Sequence, residues 1–126
     1  MKLSKEAIDF LKEGNGITIV ATASEFGIIN LSPRFILETN DDKLFFVSGF
    51  PNKTLYNLKK NPKVCISKWD NDVKGKVRFL KIKGYAKNYT SGDIYEKLSK
   101  MVQEIGFPKP LAITEVSVEE FELYGG

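Results

Sequence analysis

The sequence predicts a small, mostly antiparallel β-barrel with peripheral helices. Short runs of β-branched and aromatic residues, separated by turn residues, predict six or seven strands. Only three segments show helical spacing, which is too few to supply the crossovers of a doubly wound parallel sheet. At 126 residues the chain has the length of one domain, so residues 1–126 are expected to form a single unit.

The strands are predicted from alternation and composition. They cover residues 17–23, 28–32, 34–37, 44–47, 64–69, 77–89 and 112–118, with 121–124 as a further closing strand, and residues 70–75 form a loop. Pro33 interrupts a strand pattern, which indicates an edge, a bulge or a barrel rim. Gly84 lies inside the longest strand and predicts a bend or bulge there.

Three helices are predicted from caps and apolar spacing. The first follows the N-cap Ser4, and the second covers residues 55–60 after the N-cap Asn52. The third begins with a capping box formed by Thr90 and Asp93. Its core stripe is predicted to comprise Ile94, Leu98, Met101 and Ile105.

The composition excludes several classes of enzyme. The chain has no histidine and one cysteine, so Ser-His-Asp and Cys-His catalysis are excluded and no zinc or haem site is expected. Cys65 cannot form an intramolecular disulfide and is predicted to be a buried strand thiol. Any chemistry must therefore use lysine, tyrosine, carboxylates or a bound organic cofactor.

The net charge of +3 is unevenly distributed. Residues 43–89 contain 12 Lys and Arg but only two acidic residues, whereas both flanking regions are acidic. This basic middle fits either a nucleic-acid surface or a solvated lysine face beside a phosphate site, and we favour the second. No run approaches the ~20 apolar residues of a membrane span, and the first residues lack the apolar core of a signal peptide, so we expect a cytoplasmic protein without a membrane partner.

The segment from Pro51 to Thr54 is the most informative one. It joins a predicted strand to a predicted helix whose N-cap is Asn52, so Lys53 and Thr54 fall in the first helical turn. Free backbone N–H groups and the helix dipole favour an anion there. A lysine charge and a threonine hydroxyl at that turn predict a phosphate ligand.

Further polar residues come close to this turn in the sequence. Asn30 and Ser32 alternate on one strand face, and Arg34 follows at the break after Pro33. Arg34 is one of only two arginines among 19 basic residues, which indicates either a use for its planar fork or an exposed strand position. The second arginine, Arg78, lies among lysines and is interpreted as a surface or interface residue.

Four ordered segments carry a family resemblance. Residues 27–34, 44–48, 53–58 and 61–64, followed by 82–86, resemble the pyridoxamine 5′-phosphate oxidase-like flavoproteins, specifically their short FMN-binding members. The resemblance implies a split β-barrel that forms a homodimer and holds one FMN per subunit at the interface. It implies that the cofactor-binding residues are Asn30, Ser32, Pro33, Arg34, Val47, Ser48, Gly49, Lys53 and Thr54.

The roles within this set also follow from the resemblance. Lys53 and Thr54 would bind the flavin phosphate, residues 30–34 would border the ribityl chain and ring, and residues 47–49 would offer backbone hydrogen bonds. Aromatic residues from a partner subunit often complete such sites, and Trp69 and Tyr85 are the candidates here. The true oxidase ends in a basic, tryptophan-containing tail, whereas residues 118–124 are acidic, so pyridoxamine phosphate is not the expected substrate.

The functional hypothesis is an FMN-dependent oxidoreductase with a small-molecule electron donor and acceptor. No side chain can be named as a catalytic acid or base. Alternatives are an F420-dependent reductase on the same barrel, a non-enzymatic flavin or electron carrier, and a basic nucleic-acid-binding barrel. The last would use Phe79 and Tyr85, which alternate with lysines on one strand.

Overall fold

A computed structural model describes residues 2–14, 16–71 and 75–125 of the chain. The three helices are α1 (Lys5–Lys12), α2 (Lys53–Lys60) and α3 (Asp93–Glu104). The seven strands are β1 (Ile17–Ala23), β2 (Ile29–Pro33), β3 (Ile36–Thr39), β4 (Lys43–Ser48), β5 (Lys63–Asn71), β6 (Val77–Tyr89) and β7 (Ala112–Gly125). None of these helices is long and apolar enough to cross a membrane.

The strands form one antiparallel sheet in the order β2-β1-β5-β6-β7-β4-β3. The edge strands β2 and β3 follow one another in the chain and are joined only by Arg34 and Phe35. A two-residue connection cannot span an open seven-stranded sheet, so the sheet curls until its edges approach each other. The result is a split β-barrel, as predicted, and Pro33 lies on an edge strand, also as predicted.

Two apolar clusters hold the fold together. The larger fills the barrel between the strands, α1 and α2, and includes Phe10, Val20, Leu44, Phe46, Leu58, Ile66, Leu80, Ile82 and Val116. The smaller lies on the outside of β4 and β7, where α3 covers Phe45 and Ile113 with Tyr95 and Leu98. Residues 112–116 are therefore buried on both faces.

The predicted irregularity at Gly84 is confirmed. The register between β6 and β7 shifts between Lys83 and Gly84, which is the signature of a bulge. A Cβ atom at Gly84 would lie 2.2 Å from the carbonyl oxygen of Ser117, so only glycine fits. Because the bulge absorbs one residue, β7 continues as a single strand where two short ones were predicted.

Two of the three predicted caps are confirmed. The side chains of Ser4 and Asn52 accept hydrogen bonds from backbone N–H groups in the first turns of α1 and α2. The capping box at Thr90 is wrong: α3 begins after Gly92, without a side-chain cap. Ile105 was predicted as core but is 55% exposed, because α3 ends one residue earlier and turns this side chain outward.

Two further predictions are corrected. Cys65 is half-buried rather than buried, because Val64 and Ile66 take the inward positions of β5 and leave the thiol on the outer face. Asp70 and Asn71 belong to β5, where they pair with Arg78 and Val77, and not to a loop. The rest of that predicted loop, residues 72–74, lies outside the described residues.

Candidate functional site

All nine residues predicted to bind the cofactor line one pocket. It has a volume of about 580 Å³ and lies between edge strand β2, the end of β4 and the first turn of α2. The nine are Asn30, Ser32, Pro33, Arg34, Val47, Ser48, Gly49, Lys53 and Thr54, and the wall also includes Leu31, Phe35, Phe50 and Asn52. Pockets of this size hold small organic ligands.

The first turn of α2 forms one end of the pocket. Asn52 Oδ1 accepts the Leu55 N–H at 2.9 Å, and Asn52 Nδ2 donates to the Phe50 carbonyl at 2.8 Å, which fixes the turn. The first turn has no acidic side chain, and Lys53 is exposed beside it. Helix dipole, backbone N–H groups and lysine charge thus act together and favour an anion.

The hydroxyl group of Thr54 ties α2 to edge strand β2. Thr54 is fully buried, and its Oγ1 lies 2.8 Å from Ser32 Oγ and 3.5 Å from Asn30 Nδ2. Because this hydroxyl already has partners, an anion at the turn would contact the backbone N–H of Thr54 before its side chain. Asn30 and Ser32, which were predicted to contact the cofactor, therefore also hold α2 against β2 through Thr54.

Arg34 and Ser48, which both line the pocket, carry buried polar atoms that have no partner among the described residues. Arg34 Nη1 donates to the Pro33 carbonyl at 2.9 Å and the guanidinium lies over the Phe46 ring, but its buried Nε has no partner among the described residues. Burial lowers the pKa of Arg34. Ser48 is 2% exposed, and its hydroxyl likewise lacks a partner in the described chain.

Unpartnered buried polar atoms are unfavourable, and two residues that carry them line this pocket, which suits a ligand with hydrogen-bonding groups. The backbone of Ser48 is less available than predicted, because its carbonyl already accepts the Leu111 N–H at 2.9 Å. The donor set suits an organic anion. Within the described residues no group of three or more His, Cys, Asp or Glu side chains could hold a metal ion.

A family model supplies the decisive comparison. The model described as pyridoxamine 5′-phosphate oxidase matches residues 4–124, which is nearly the whole chain. The chain belongs to the pyridoxamine 5′-phosphate oxidase family. The resemblance inferred from residues 27–86 is thereby confirmed.

Relatives within and around this family share the sequence or the fold. The uncharacterized protein MJ0282 of Methanocaldococcus jannaschii is 29% identical over 125 residues, covering 95% of this chain and 79% of its own length. The crystal structure of HupZ from Group A Streptococcus matches with a TM-score of 0.82 at 23% identity, over 96% of this chain and 93% of that one. An FMN-binding protein from Syntrophomonas wolfei subsp. wolfei matches with a TM-score of 0.80 at 15% identity, over 94% and 84%. These two structures show that the fold is shared.

Arg78, the second of the two arginines, lies outside the candidate cofactor pocket. Arg78 was interpreted as a surface or interface residue, but its guanidinium donates two hydrogen bonds to Glu13 and two to the buried Asp70. The hydrogen bonds from Arg78 lower the pKa of Glu13. Nearby, Lys68 is 2% exposed and donates to the Phe10 and Glu13 carbonyls at the end of α1.

This charged cluster was missed from the sequence. Glu13 and Arg78 are 65 residues apart, and no local pattern relates them. The available signal was the alternation of β5, which places Lys68 and Asp70 on the same inward face as Val64 and Ile66. A charged residue at an inward strand position requires a partner.

The basic strand β6 is neutralised by β7. Lys81 lies 3.1 Å from Glu122, and Lys83 lies 3.5 Å from Glu120. Hydrogen bonds from Tyr124 and Lys81 lower the pKa of Glu122. The acidic segment, in which residues 121–124 were predicted as a closing strand, is therefore a strand that pairs with lysines, and β6 offers less free positive charge than its sequence suggests.

Proposed function

We propose that this chain binds FMN in the pocket between β2, β4 and α2, and that it acts as a homodimeric FMN-dependent oxidoreductase. One observation carries the proposal: a single pocket combines an anion-favouring helix turn with two unpartnered polar atoms, on Arg34 and Ser48. That arrangement occurs in a member of the pyridoxamine 5′-phosphate oxidase family, and it matches a ligand with a phosphate at one end and a polar ring at the other.

The helix turn would hold the phosphate. Lys53 would supply positive charge, and the backbone N–H groups of residues 53 and 54 would donate hydrogen bonds. Asn52 keeps the turn in place through its two hydrogen bonds, and Thr54 fixes the turn against β2. Binding therefore requires little rearrangement of the protein.

The opposite end of the pocket would hold the flavin ring. Arg34 and Ser48 line this pocket, where a small side-chain movement would let their buried Nε and Oγ atoms bond polar atoms of a ligand, and the arginine charge would stabilise negative charge on the ring. When bound, the flavin supplies the electron transfer, while these residues bind it and set its orientation. The pocket offers no evident catalytic acid or base.

An exposed apolar face supports the proposed dimer. The outer side of β2, β1, β5, β6 and β7, here called the outer sheet face, carries large apolar side chains across five strands. One row across the register runs through Ile17, Trp69, Phe79 and Tyr124. On the edge strand, Leu31 is 66% exposed. The ion pairs Lys81–Glu122 and Lys83–Glu120 lie on the same face beside this apolar row. Exposed apolar residues bordered by charged ones mark an interaction site, and a second copy of the chain would cover them.

The outer sheet face adjoins the pocket, because Leu31 and Pro33 of β2 belong to both. A second copy packed on this face would therefore approach the open side of the pocket. Trp69 and Tyr85 lie on the same face and are 44% and 45% exposed, which leaves them available to the neighbouring subunit's flavin. Their participation in the site remains part of the proposal.

The first test is the absorption spectrum of the purified protein, followed by release and identification of any chromophore. Bound FMN would support the proposal, and a deazaflavin would favour the F420-dependent alternative. Reduction of the flavin followed by transfer to an added acceptor would distinguish an oxidoreductase from a flavin store. A colourless protein that takes up no added FMN would overturn the cofactor assignment.

The phosphate end is tested with Lys53→Ala. Loss of the charge should raise the Kd for FMN about tenfold or more, because a charge-assisted hydrogen bond to phosphate is removed. The matched control is Lys59→Ala, which removes the same charge from the far end of the same helix. Fluorescence titration of both variants with FMN gives the comparison, and equal affinities would reject Lys53 as a phosphate ligand.

A further inference from the structure

An apolar groove opens beside the candidate flavin pocket. Its volume is about 420 Å³, and it shares Phe35, Val47 and Gly49 with that pocket. The far wall is formed by the end of α3 and the following loop, through Val102, Ile105 and Phe107, and by two prolines. All lining side chains are apolar, whereas the wall of the neighbouring pocket combines polar and apolar side chains.

Two hydrogen bonds hold the far wall of the groove, formed by α3 and the loop after it. The Tyr95 hydroxyl, on α3, donates to the Pro110 carbonyl, and the Leu111 N–H donates to the Ser48 carbonyl at 2.9 Å. The second bond connects the loop directly to the strand end that lines the flavin pocket. Proline and these two hydrogen bonds restrict the loop, so the groove is largely formed before any ligand arrives.

We propose that this groove binds a neutral, largely apolar small molecule and places it against the flavin. The inference rests on the proposed function, in which the phosphate lies at α2 and the ring lies towards Arg34 and Ser48. An occupant of the groove would then meet the ring end, because Phe35, Val47 and Gly49 border both spaces. The substrate class is therefore apolar, and a phosphorylated or otherwise charged substrate would find no partner in the groove.

The size of the groove favours a small molecule over a protein. Its volume lies within the ~300–1,000 Å³ typical of small-molecule sites. A stable protein interface buries about 800 Å² on each partner, which a concave site of this size does not provide. Ile105 and Phe107 are 55% and 62% exposed, and a bound apolar molecule would cover them.

The test uses a neutral apolar dye, Nile red, titrated into the FMN-loaded protein and into flavin-free protein. Ile105→Asp places a charge in the groove and should weaken dye binding about tenfold in both samples. Gln103→Asp is the matched control, since it introduces the same charge near the same helix end but outside the groove. Phe107→Ser provides a second groove variant that adds no charge and should also weaken binding.

The outcomes separate this inference from the proposed function. Unchanged dye affinity in both groove variants would overturn the groove as a binding site, whatever the FMN content. In FMN-loaded protein, dye binding should perturb the visible flavin band, and an unperturbed band would overturn the placement beside the ring. Failure to bind FMN, with dye binding still sensitive to Ile105→Asp, would overturn the proposed cofactor but keep an apolar site. If Ile105→Asp alters the sedimentation coefficient, the groove is a contact between copies and the proposal is wrong.

Discussion

At the scale of single residues, the two arginines show how environment decides a role. Arg34 lies at the junction of two strands and lines a ligand-sized pocket, and its buried Nε has no partner within the described part of the chain. Arg78 donates four hydrogen bonds from its guanidinium to Glu13 and Asp70, and the same guanidinium lies over the Phe10 ring. Arg34 is thus available to a ligand, whereas Arg78 connects the end of α1 to β5 and β6.

Arg78→Ala should lower the free energy of unfolding. Asp70 is 5% exposed and would lose its guanidinium, so we expect a loss of about 2 kcal/mol, which is reduced from the full value for a buried pair because the cluster is partly open to solvent. Lys81→Ala is the control on the same strand, where an exposed ion pair with Glu122 is removed and little change is expected. Urea denaturation of both variants measures the difference. Equal stabilities would contradict a structural role for the Arg78 cluster.

Residue-level prediction from the sequence succeeded where the signal was local. The cap Asn52 and the first-turn Lys53 are recognisable from three consecutive positions, and both lie where predicted. The hydrogen bonds from Arg78 to Glu13 join residues 65 positions apart, and the hydrogen bond from Asn57 to Thr22 joins residues 35 positions apart. Such pairings depend on strand order, which the sequence pattern does not specify. The apolar groove was missed for the same reason, since α3 and β4 meet only in the folded chain.

At the scale of elements, helix ends and one bulge determine the shape of the barrel. Lys68 holds the end of α1 by donating to two carbonyls that the helix leaves free. The bulge at Gly84 lets β7 follow β6 along its full length while Val118 and Phe121 both face the barrel interior. Alternation predicted each strand, but it could not predict that two predicted segments continue across a bulge.

Gly84→Ala should be strongly destabilising. The new Cβ would meet the Ser117 carbonyl at 2.2 Å, and both groups belong to paired backbone that cannot easily move. We expect a loss of about 2–3 kcal/mol, the upper range for overpacked sites. Gly14→Ala is the matched control, because a Cβ there meets no heavy atom within 4 Å. Comparison of thermal unfolding by circular dichroism tests the pair, and a Gly84→Ala variant as stable as Gly14→Ala would show that the bulge tolerates a side chain.

At the scale of the whole molecule, the chain has two distinct surfaces beside its candidate site. The outer sheet face carries aromatic and branched side chains across five strands, next to edge strand β2. The groove at the end of α3 is smaller and concave, and the loop that borders it is held by the hydrogen bond from Tyr95 to the Pro110 carbonyl. Their different extent and shape support the proposals that a second copy of the chain covers the first and that a small molecule binds the second.

Trp69→Glu should convert the proposed dimer to monomer and weaken FMN binding in parallel. Trp69 lies between Ile17 and Phe79 in the apolar row of the outer sheet face, and a charge in place of an aromatic residue that the second copy would cover removes a typical interface hot spot. Ile17→Glu, at the position of β1 that pairs with Trp69, should also produce monomers with weaker FMN binding. Agreement between the two variants would show that the effect does not come from a local folding defect in one of them. Phe107→Glu is the control, because it places the same charge on an exposed apolar residue of the groove.

Sedimentation velocity across a dilution series, with FMN content measured on the same samples, distinguishes the possibilities. The interface on the outer sheet face requires that Trp69→Glu and Ile17→Glu sediment as monomers while Phe107→Glu remains dimeric. A dimer that survives both face variants would place the interface elsewhere. Monomers that retain full FMN affinity would show that cofactor binding does not depend on dimerisation. The residues of β2, β4 and α2 would then suffice for binding, without Trp69 or Tyr85 from a neighbouring subunit.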